Sequence, residues 1–489
     1  MSEKTERIIS YGLLGLLILS LIPVMYLGRF NHPTGDDYYY GAATKNVLEE
    51  TGSLTATIAE AARGVGVQYQ RWQGTYSAMF FMHLPPQLFG DWAYRLFPTI
   101  LLLTLVGGIF YLCKPLMCQI LQGSKWLWLA TSSVASMLAV QTVPTRGETF
   151  YWYNGAMYYT GFFALGLYIL GLFVRWLYRG GKGKVVAMVA LGLLFAGGNY
   201  VSLLPMMLTV AAVLGVLLYR RDKRFIGSLL LLLSLVVGLL ISAIAPGNQL
   251  RQDGMWQIPA WKAVLKSLMQ GVRYMTAWTS LWWWMAAILL TPFLWKYLPR
   301  IKTRWYWLGA LGYGYGVFCS MSCPTFYTMN STGPARAVAI VYYGYVLSSL
   351  YGYAWILAGI KTRWILYCER NSGKVQKIAD RKCKIKGNYV WMAILIVLLA
   401  LQLVRGAGAE TSMAMAVDSL VSGEAVGYEE EYQHRIEIWE NDNIQEVILQ
   451  PYKNRPVMLY VGDFSGDPEE PTNQKVAEYY QKNSVRVNH

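Results

Sequence analysis

The 489 residues read as an all-α polytopic membrane protein of about 11 transmembrane helices, with a small extracytoplasmic α/β region at the C-terminal end. Three observations predict this. Hydrophobic residues make up 55% of the chain and charged residues 15%, with a mean hydropathy of +0.29, which excludes an ordinary soluble globular protein. The apolar residues come in blocks of roughly 20, the length that crosses a bilayer. The loops between those blocks alternate between basic and non-basic, the pattern left by positive-inside topology.

Eleven apolar runs serve as spans: Ile8–Gly28, Trp92–Cys113, Trp126–Val143, Met157–Tyr178, Lys184–Asn199, Leu203–Tyr219, Phe225–Ala245, Thr276–Trp295, Arg304–Cys323, Pro334–Gly359 and Tyr389–Val404. The fifth and sixth are short and separated only by Tyr200-Val201-Ser202, as in a helical hairpin. With the N-terminus in the cytoplasm, the inner segments hold 25 of the 43 Lys and Arg residues. The net charge of +15 then reflects topology in large part, and nucleic-acid binding is not needed to explain it. The first span is too long for a removed signal peptide and lacks a small-residue cleavage site. The chain is read as a multi-pass protein of the cell (plasma) membrane. Residues 1–407 form the membrane domain, and an odd span count puts the C-terminus outside.

The tail changes character. Residues Gly408–His489 carry 15 acidic and 6 basic side chains. Val447–Leu449 and Val457–Val461 have the pattern of short strands, and Glu429–Asn441 and Asn473–Lys482 that of helices. Some 80 residues give a marginal core, so this cap is expected to lean on the membrane domain. Of the six cysteines, Cys113, Cys118, Cys368 and Cys383 fall at the cytoplasmic side, where thiols stay reduced. Cys319 and Cys323 share a helix face and are read as packing residues.

The outer segments carry the chemistry. The first, residues 29–91, contains Leu54, Ile58, Ala61, Val65 and Tyr69 at helical spacing, which predicts a helix lying on the membrane surface. A second such helix follows the seventh span. Trp261, Val264, Leu265, Leu268, Met269 and Val272 form one face and Lys262, Lys266, Gln270 and Arg273 another, with Pro259 at its start. Outside the tail, the outward acidic residues are Asp36, Asp37, Glu49, Glu50, Glu60, Asp91, Glu148 and Asp253. Glu49, Glu50 and Glu60 read as solvated helix faces, Asp91 as a cap of the second span, and Asp253 as part of a polar loop. Asp36, Asp37 and Glu148 remain.

Asp36 and Asp37 stand in Thr34-Gly35-Asp36-Asp37-Tyr38, just past the first span. Adjacent carboxylates there can supply a general base and a group that orients substrate or holds a metal. The plainer alternative is a turn or helix N-cap. Glu148 lies in a short loop beside Arg146 and reaches the same membrane face. Arg251 follows Pro246-Gly247-Asn248 and Arg336 follows Gly333-Pro334-Ala335. An arginine at such a helix start can bind phosphate, the alternative being a side chain that snorkels to the interface. His32 and His83 are isolated and read as structural. The many aromatic residues are explained for the most part by interfacial belts.

With a long first outer loop opening on Gly35-Asp36-Asp37-Tyr38, many spans, surface helices and an outward cap, the chain resembles the GT-C class of membrane glycosyltransferases. It is similar, more narrowly, to bacterial multispan proteins with an acidic pair, an Arg-Gly-Glu-like second loop (here Arg146–Glu148), a Pro-Gly-Asn…Arg stretch (Pro246–Arg251) and a tail with Asn…Ala-x-Tyr-Tyr (Asn473–Tyr480). The resemblance implies a polyprenyl-phosphate-linked sugar as donor and a glycan or lipid as acceptor. It implies inverting transfer with Asp36 or Asp37 as base, and Arg336 or Arg251 as phosphate clamp. Glu148 would be a second acid; Arg146 and Tyr38 complete the substrate-binding set. A divalent cation such as Mg or Mn, if used, would fall to Asp37 and Glu148. The chain departs from the oligosaccharyltransferase branch, because Trp282-Trp283-Trp284 has no acidic partner and lies in a span. The donor class also has a physical argument: nucleotide sugars are cytoplasmic, so an outward site needs a sugar carried on lipid. A transporter or flippase of lipid-linked glycans is the alternative, although the two halves show no repeated broken spans.

Overall fold

A computed structural model describes residues 1–370 and 408–488, with Val397 alone between them. Helix α1 (Glu3–Leu27) starts where the Ser2 hydroxyl accepts the Thr5 N–H, and Glu3 and Glu6 suit its positive end. Gly35, at φ +50°, turns the chain into α2 (Asp36–Thr51), which stops at the left-handed Gly52. Ser53 caps α3 (Leu54–Arg71), and α4 (Tyr76–Met82) leads on to α5 (Asp91–Pro115). Asp91 stands in the first turn of α5 rather than capping it, and Gly90 is the capping residue.

Ser124 caps α6 (Lys125–Gln141). The connection to α8 (Phe162–Arg179) is wound as two π-turns, Gly147–Tyr151 and Met157–Gly161, around the one-turn α7 (Tyr153–Ala156). Then come α9 (Lys182–Ala196), α10 (Tyr200–Tyr219) and α11 (Phe225–Ala243). The short α12 (Pro246–Gln252) precedes α13 (Ala260–Trp278) and α14 (Leu281–Tyr297). The membrane part continues with α15 (Arg304–Ser320), α16 (Cys323–Met329) and α17 (Ala335–Arg370).

Among the described residues, five helical stretches are long and apolar enough to cross a membrane: Glu3–Phe30, Asp91–Ile120, Tyr153–Arg179, Tyr200–Tyr219 and Phe225–Ala243. A sixth is reached if α13 and α14, bent by 82°, count as one span. The all-α membrane character stands, and the count of eleven is not reached. The runs at Trp126–Val143, Lys184–Asn199 and Arg304–Cys323 form helices of 17, 15 and 17 residues, shorter than a full crossing. The run at Tyr389–Val404 lies outside the described residues, as does Cys383. The expected hairpin of the fifth and sixth runs has a different partner, because α9 packs chiefly on α11 and α8.

The first helix fixes the vertical order. α1 packs along α6, and Gln141 at the far end of α6 donates to the Ser20 carbonyl at 3.2 Å. At the opposite end the buried Glu6 accepts from Lys296 at 2.6 Å and Ser124 at 3.1 Å. The bundle core is Leu, Val, Ala and aromatic side chains from α1, α5, α6, α14 and α17.

The cap is α18 (Ser412–Val421), α19 (Glu424–Trp439), β1 (Glu446–Leu449), α20 (Pro471–Tyr479) and β2 (Ser484–Val487). The strands pair in parallel with Glu446 opposite Ser484. Val457–Val461 is not the second strand. Its Leu459 and Tyr460 N–H groups fold back on the Pro456 carbonyl, both at 2.9 Å, and the segment forms a turn. The cap does lean on the membrane part: α18 packs on α1 and α20 on α2. His32 stacks on Tyr432 at 3.7 Å and meets Glu429 at 3.0 Å, and Glu429 also pairs with Arg95 of α5 at 2.9 Å. Cys113, Cys118, Cys319, Cys323 and Cys368 are free thiols. Cys319 lies near the end of α15 and Cys323 opens α16, so the two do not share the one helix face expected of them.

Candidate active site

The two adjacent carboxylates begin α2 but turn to different surroundings. A helix places consecutive side chains about 100° apart, so neighbours cannot share one face. Asp37 points inward and is fully buried. Its carboxylate accepts the Tyr94 hydroxyl at 2.6 Å and the N–H groups of Thr34 and Asn154, each at 3.1 Å. Its main-chain carbonyl accepts from Gln87 at 3.1 Å. Burial pushes the Asp37 carboxyl up to about 7, against the downward pull of those three donors. So enclosed, its carboxylate offers no open surface, and this placement lends no support to the expected catalytic and metal roles of Asp37. It is a pin joining the first outer segment, α5 and the loop that carries Glu148.

Asp36 is only partly buried and faces outward from the same turn. Burial raises its pKa, the Arg336 guanidinium pulls it back, and Glu470 of the cap pushes it further up. Arg336, at the start of α17, pairs with Glu148 at 3.0 Å, with the two side chains 30% and 26% exposed. The guanidinium lies 4.9 Å over the Trp152 ring and 6.0 Å from that of Tyr159. Arg251, on α12, is held by the Gln73 side-chain oxygen and lies 4.7 Å over Trp72. Asp36 and Arg251 both act on Tyr40 electrostatically, and Arg251 and Arg336 both act on Tyr158 and Tyr159. Asp36, Arg251 and Arg336 thus lie within electrostatic reach of the tyrosines Tyr40, Tyr158 and Tyr159, and Glu148 joins them through its pair with Arg336.

Two expected members are elsewhere. Arg146 donates to the Glu410 carbonyl and, at 3.3 Å, to the Ser412 hydroxyl. It ties down the cap through these contacts, away from the expected phosphate role. Tyr38 is fully buried among the rings of Trp439, Phe464, Tyr479 and Tyr480, at 5.1–6.1 Å between centroids. It anchors the cap and offers no open surface for the expected substrate contact. Among the described residues, no three His, Cys, Asp or Glu side chains are placed to hold a metal ion. Asp37 is engaged by Tyr94, Thr34 and Asn154, and Glu148 by Arg336.

Three contributors escaped the sequence reading. Glu470 approaches Asp36 from a segment more than 430 positions away, and no local pattern announces it. Gln73 and Trp72 hold Arg251, and their only sequence signal is a polar-aromatic pair before Gly74. His32 and His83 are structural as expected; the His83 ring meets the Met79 carbonyl at 2.8 Å.

An open apolar groove of about 440 Å³ runs beside the site, lined by Ala62 and Val65 of α3, Tyr76 and Phe80 of α4, and Leu193 and Leu194 of α9. Val65 also packs on the Tyr40, Met79 and Met82 cluster, as does Tyr158. A larger groove of about 820 Å³ lies in the cap along α19 and β1 and shares no residue with the acid set. The converging set can take a proton at Asp36 and hold an anion at Arg336 and Arg251, with a hydrocarbon chain alongside. No protein-family model matches the chain, and no curated protein or solved structure matches it.

Proposed function

We propose that the protein is a membrane glycosyltransferase of GT-C type that moves a sugar from a polyprenyl-phosphate donor to an extracytoplasmic glycan or lipid. The observation that carries this reading is the partly buried Asp36 carboxylate in the field of the aromatic-backed Arg336. In the reaction, an acceptor O–H attacks the anomeric carbon of the donor and Asp36 takes its proton. The bond from that carbon to the phosphate oxygen breaks, and polyprenyl phosphate leaves with the electron pair. Arg336 and Arg251 meet its charge, and the sugar configuration inverts. Burial supports Asp36 as base, because a carboxyl raised toward the working pH accepts a proton more readily. The groove between α3, α4 and α9 supports a substrate with a long apolar chain. In this reading eleven spans place the N-terminus in the cytoplasm and the acid site, with the cap, on the outer face of the plasma membrane. The shorter helices then cross as packed members of the bundle.

The test compares surface glycans, by mass and sugar composition, from cells making the wild type, Asp36→Asn, Asp37→Asn or no protein, with matched levels of inserted protein. The expected result is a null glycan for Asp36→Asn. Wild-type glycan from Asp36→Asn at normal abundance overturns the proposal.

A further inference from the structure

Helix α13 has three faces, each with its own character. Ala263, Ser267, Gly271 and Tyr274 are buried against α15 and α16. The approach is close: a Cβ at Gly271 would collide with the Cys319 sulfur, and the Tyr315 hydroxyl donates to the Leu268 carbonyl at 2.5 Å. A third of a turn away, Trp261, Val264, Leu265, Leu268, Met269 and Val272 stand 37–65% exposed. The remaining third is Lys262, Lys266, Gln270 and Arg273. Positions separated by 100° steps sort into these sectors with little overlap.

The neighbouring helix supplies the orientation. α14 ends at Lys296, on the Glu6 side chain at the start of α1. It therefore runs opposite to α1, a helix long and apolar enough to span. Seventeen residues carry α14 about 25 Å from Glu6, close to the roughly 30 Å hydrocarbon thickness. There the chain bends by 82° into α13. The corner is held by Trp278, stacked on Tyr274 at 4.1 Å, and by Thr279 and Tyr345, whose hydroxyls lie 2.8 Å apart. α13 thus lies across the bundle at the end of α1 that leads to Asp36.

We infer that α13 is a phospholipid-binding helix at this membrane face. Its exposed apolar sector lies among the acyl chains and its basic sector takes anionic headgroups. A helix at that depth and angle, with one face already packed on protein, has acyl chains on its apolar side and headgroups on its charged side. Lysine and arginine stems reach from the apolar boundary to phosphate. Lys266 is partly engaged by Asn330, at 2.6 Å, which leaves Lys262 and Arg273 as the outer contacts. The inference needs only that the chain is embedded in a membrane and is independent of the proposed transfer reaction.

The experiment places a benzophenone side chain at Val264, Leu268 or Val272 of the full-length protein in bilayers of mixed phosphatidylglycerol and phosphatidylcholine. Illumination is followed by intact-mass measurement. The expected products are phospholipid adducts enriched several-fold in phosphatidylglycerol over the bulk mixture. A combined Lys262→Gln, Lys266→Gln and Arg273→Gln variant should keep the adducts and lose the enrichment. Crosslinks to a second protein molecule, or no adduct at all, overturn the inference. Unchanged enrichment in the triple variant overturns its headgroup part. Because all these positions are exposed, failure to fold is not expected, and a matched melting temperature verifies it.

Discussion

Arg435 in the cap and Arg336 at the membrane face each meet a carboxylate, and the two pairs are finished differently. Arg435 grips Asp463 with two hydrogen bonds of 2.7 and 2.8 Å, donates to the Gln450 carbonyl at 2.5 Å, and lies 3.6 Å over Tyr452. Asp463 accepts two further N–H groups, from Tyr452 at 3.2 Å and Phe464 at 2.9 Å, and both side chains are 4% exposed. Arg336 has one contact to Glu148, at 3.0 Å, and keeps nearly a third of its surface open. A saturated pair holds a fold together, whereas a pair with open donors can accept something more. The same contrast separates Asp37, filled by three donors, from Asp36.

The comparison predicts where function and stability part. Asp36→Asn should lower transfer by about 10²- to 10⁴-fold, the range of general-base catalysis, with an unchanged melting temperature in detergent. A parallel fall in both would make Asp36 another structural acid. Asp463→Asn leaves Arg435 buried without its ion and should cost about 3–5 kcal/mol. Early proteolysis of the cap and a lowered melting temperature would show it. Glu148→Gln breaks the open pair and should cost under about 1 kcal/mol. A cost equal to that of Asp463→Asn would erase the distinction drawn above.

Smaller effects sharpen the picture. Arg336→Lys keeps a charge but loses the fork, and should weaken donor binding by roughly 1.5–3 kcal/mol, the worth of a hydrogen bond to a charged group. Titration of donor affinity measures it. Asp37 adds a pH signature. Its folded value of about 7 lies above the ordinary 3.8, so the folded state binds the proton more tightly. Its contribution is fully present below about pH 4 and is lost as pH rises through about 7. Melting temperatures across that window should fall for the wild type, and Asp37→Asn should flatten the slope.

Much of this was legible locally. The stripes at 54–69 and 261–272 became α3 and α13, and Gly-Pro before Arg336 marked the start of α17. That Asp36 and Glu148 would both come near Arg336 was expected from loop order. Which aspartate faces outward was not, because adjacent helical residues differ only in angle and the angle is set by Tyr94 and Asn154. Nor could Val457–Val461 be told from a strand. The burial of the adjacent Met458 and Leu459 breaks the alternation a strand needs, and β1 takes Ser484–Val487 as its partner, since pairing is a long-range choice. Arg146 and Tyr38 misled for a related reason: both stand beside the site in sequence while their partners lie in the cap.

Tyr38 also imposes an order of events in biosynthesis. Its ring is enclosed by Trp439, Phe464, Tyr479 and Tyr480, residues made some 400 positions later. During synthesis the segment that carries Tyr38 must wait, with an unsheltered tyrosine next to Asp36, until α20 has emerged. Closing so long a loop carries only a modest entropic cost, since that cost grows with the logarithm of length. Timing is the greater constraint. A ribosome that stops before α20 leaves a protein with its helices inserted and its acid turn unlocked. Closure of the turn around Tyr38 is thereby coupled to the synthesis of α20.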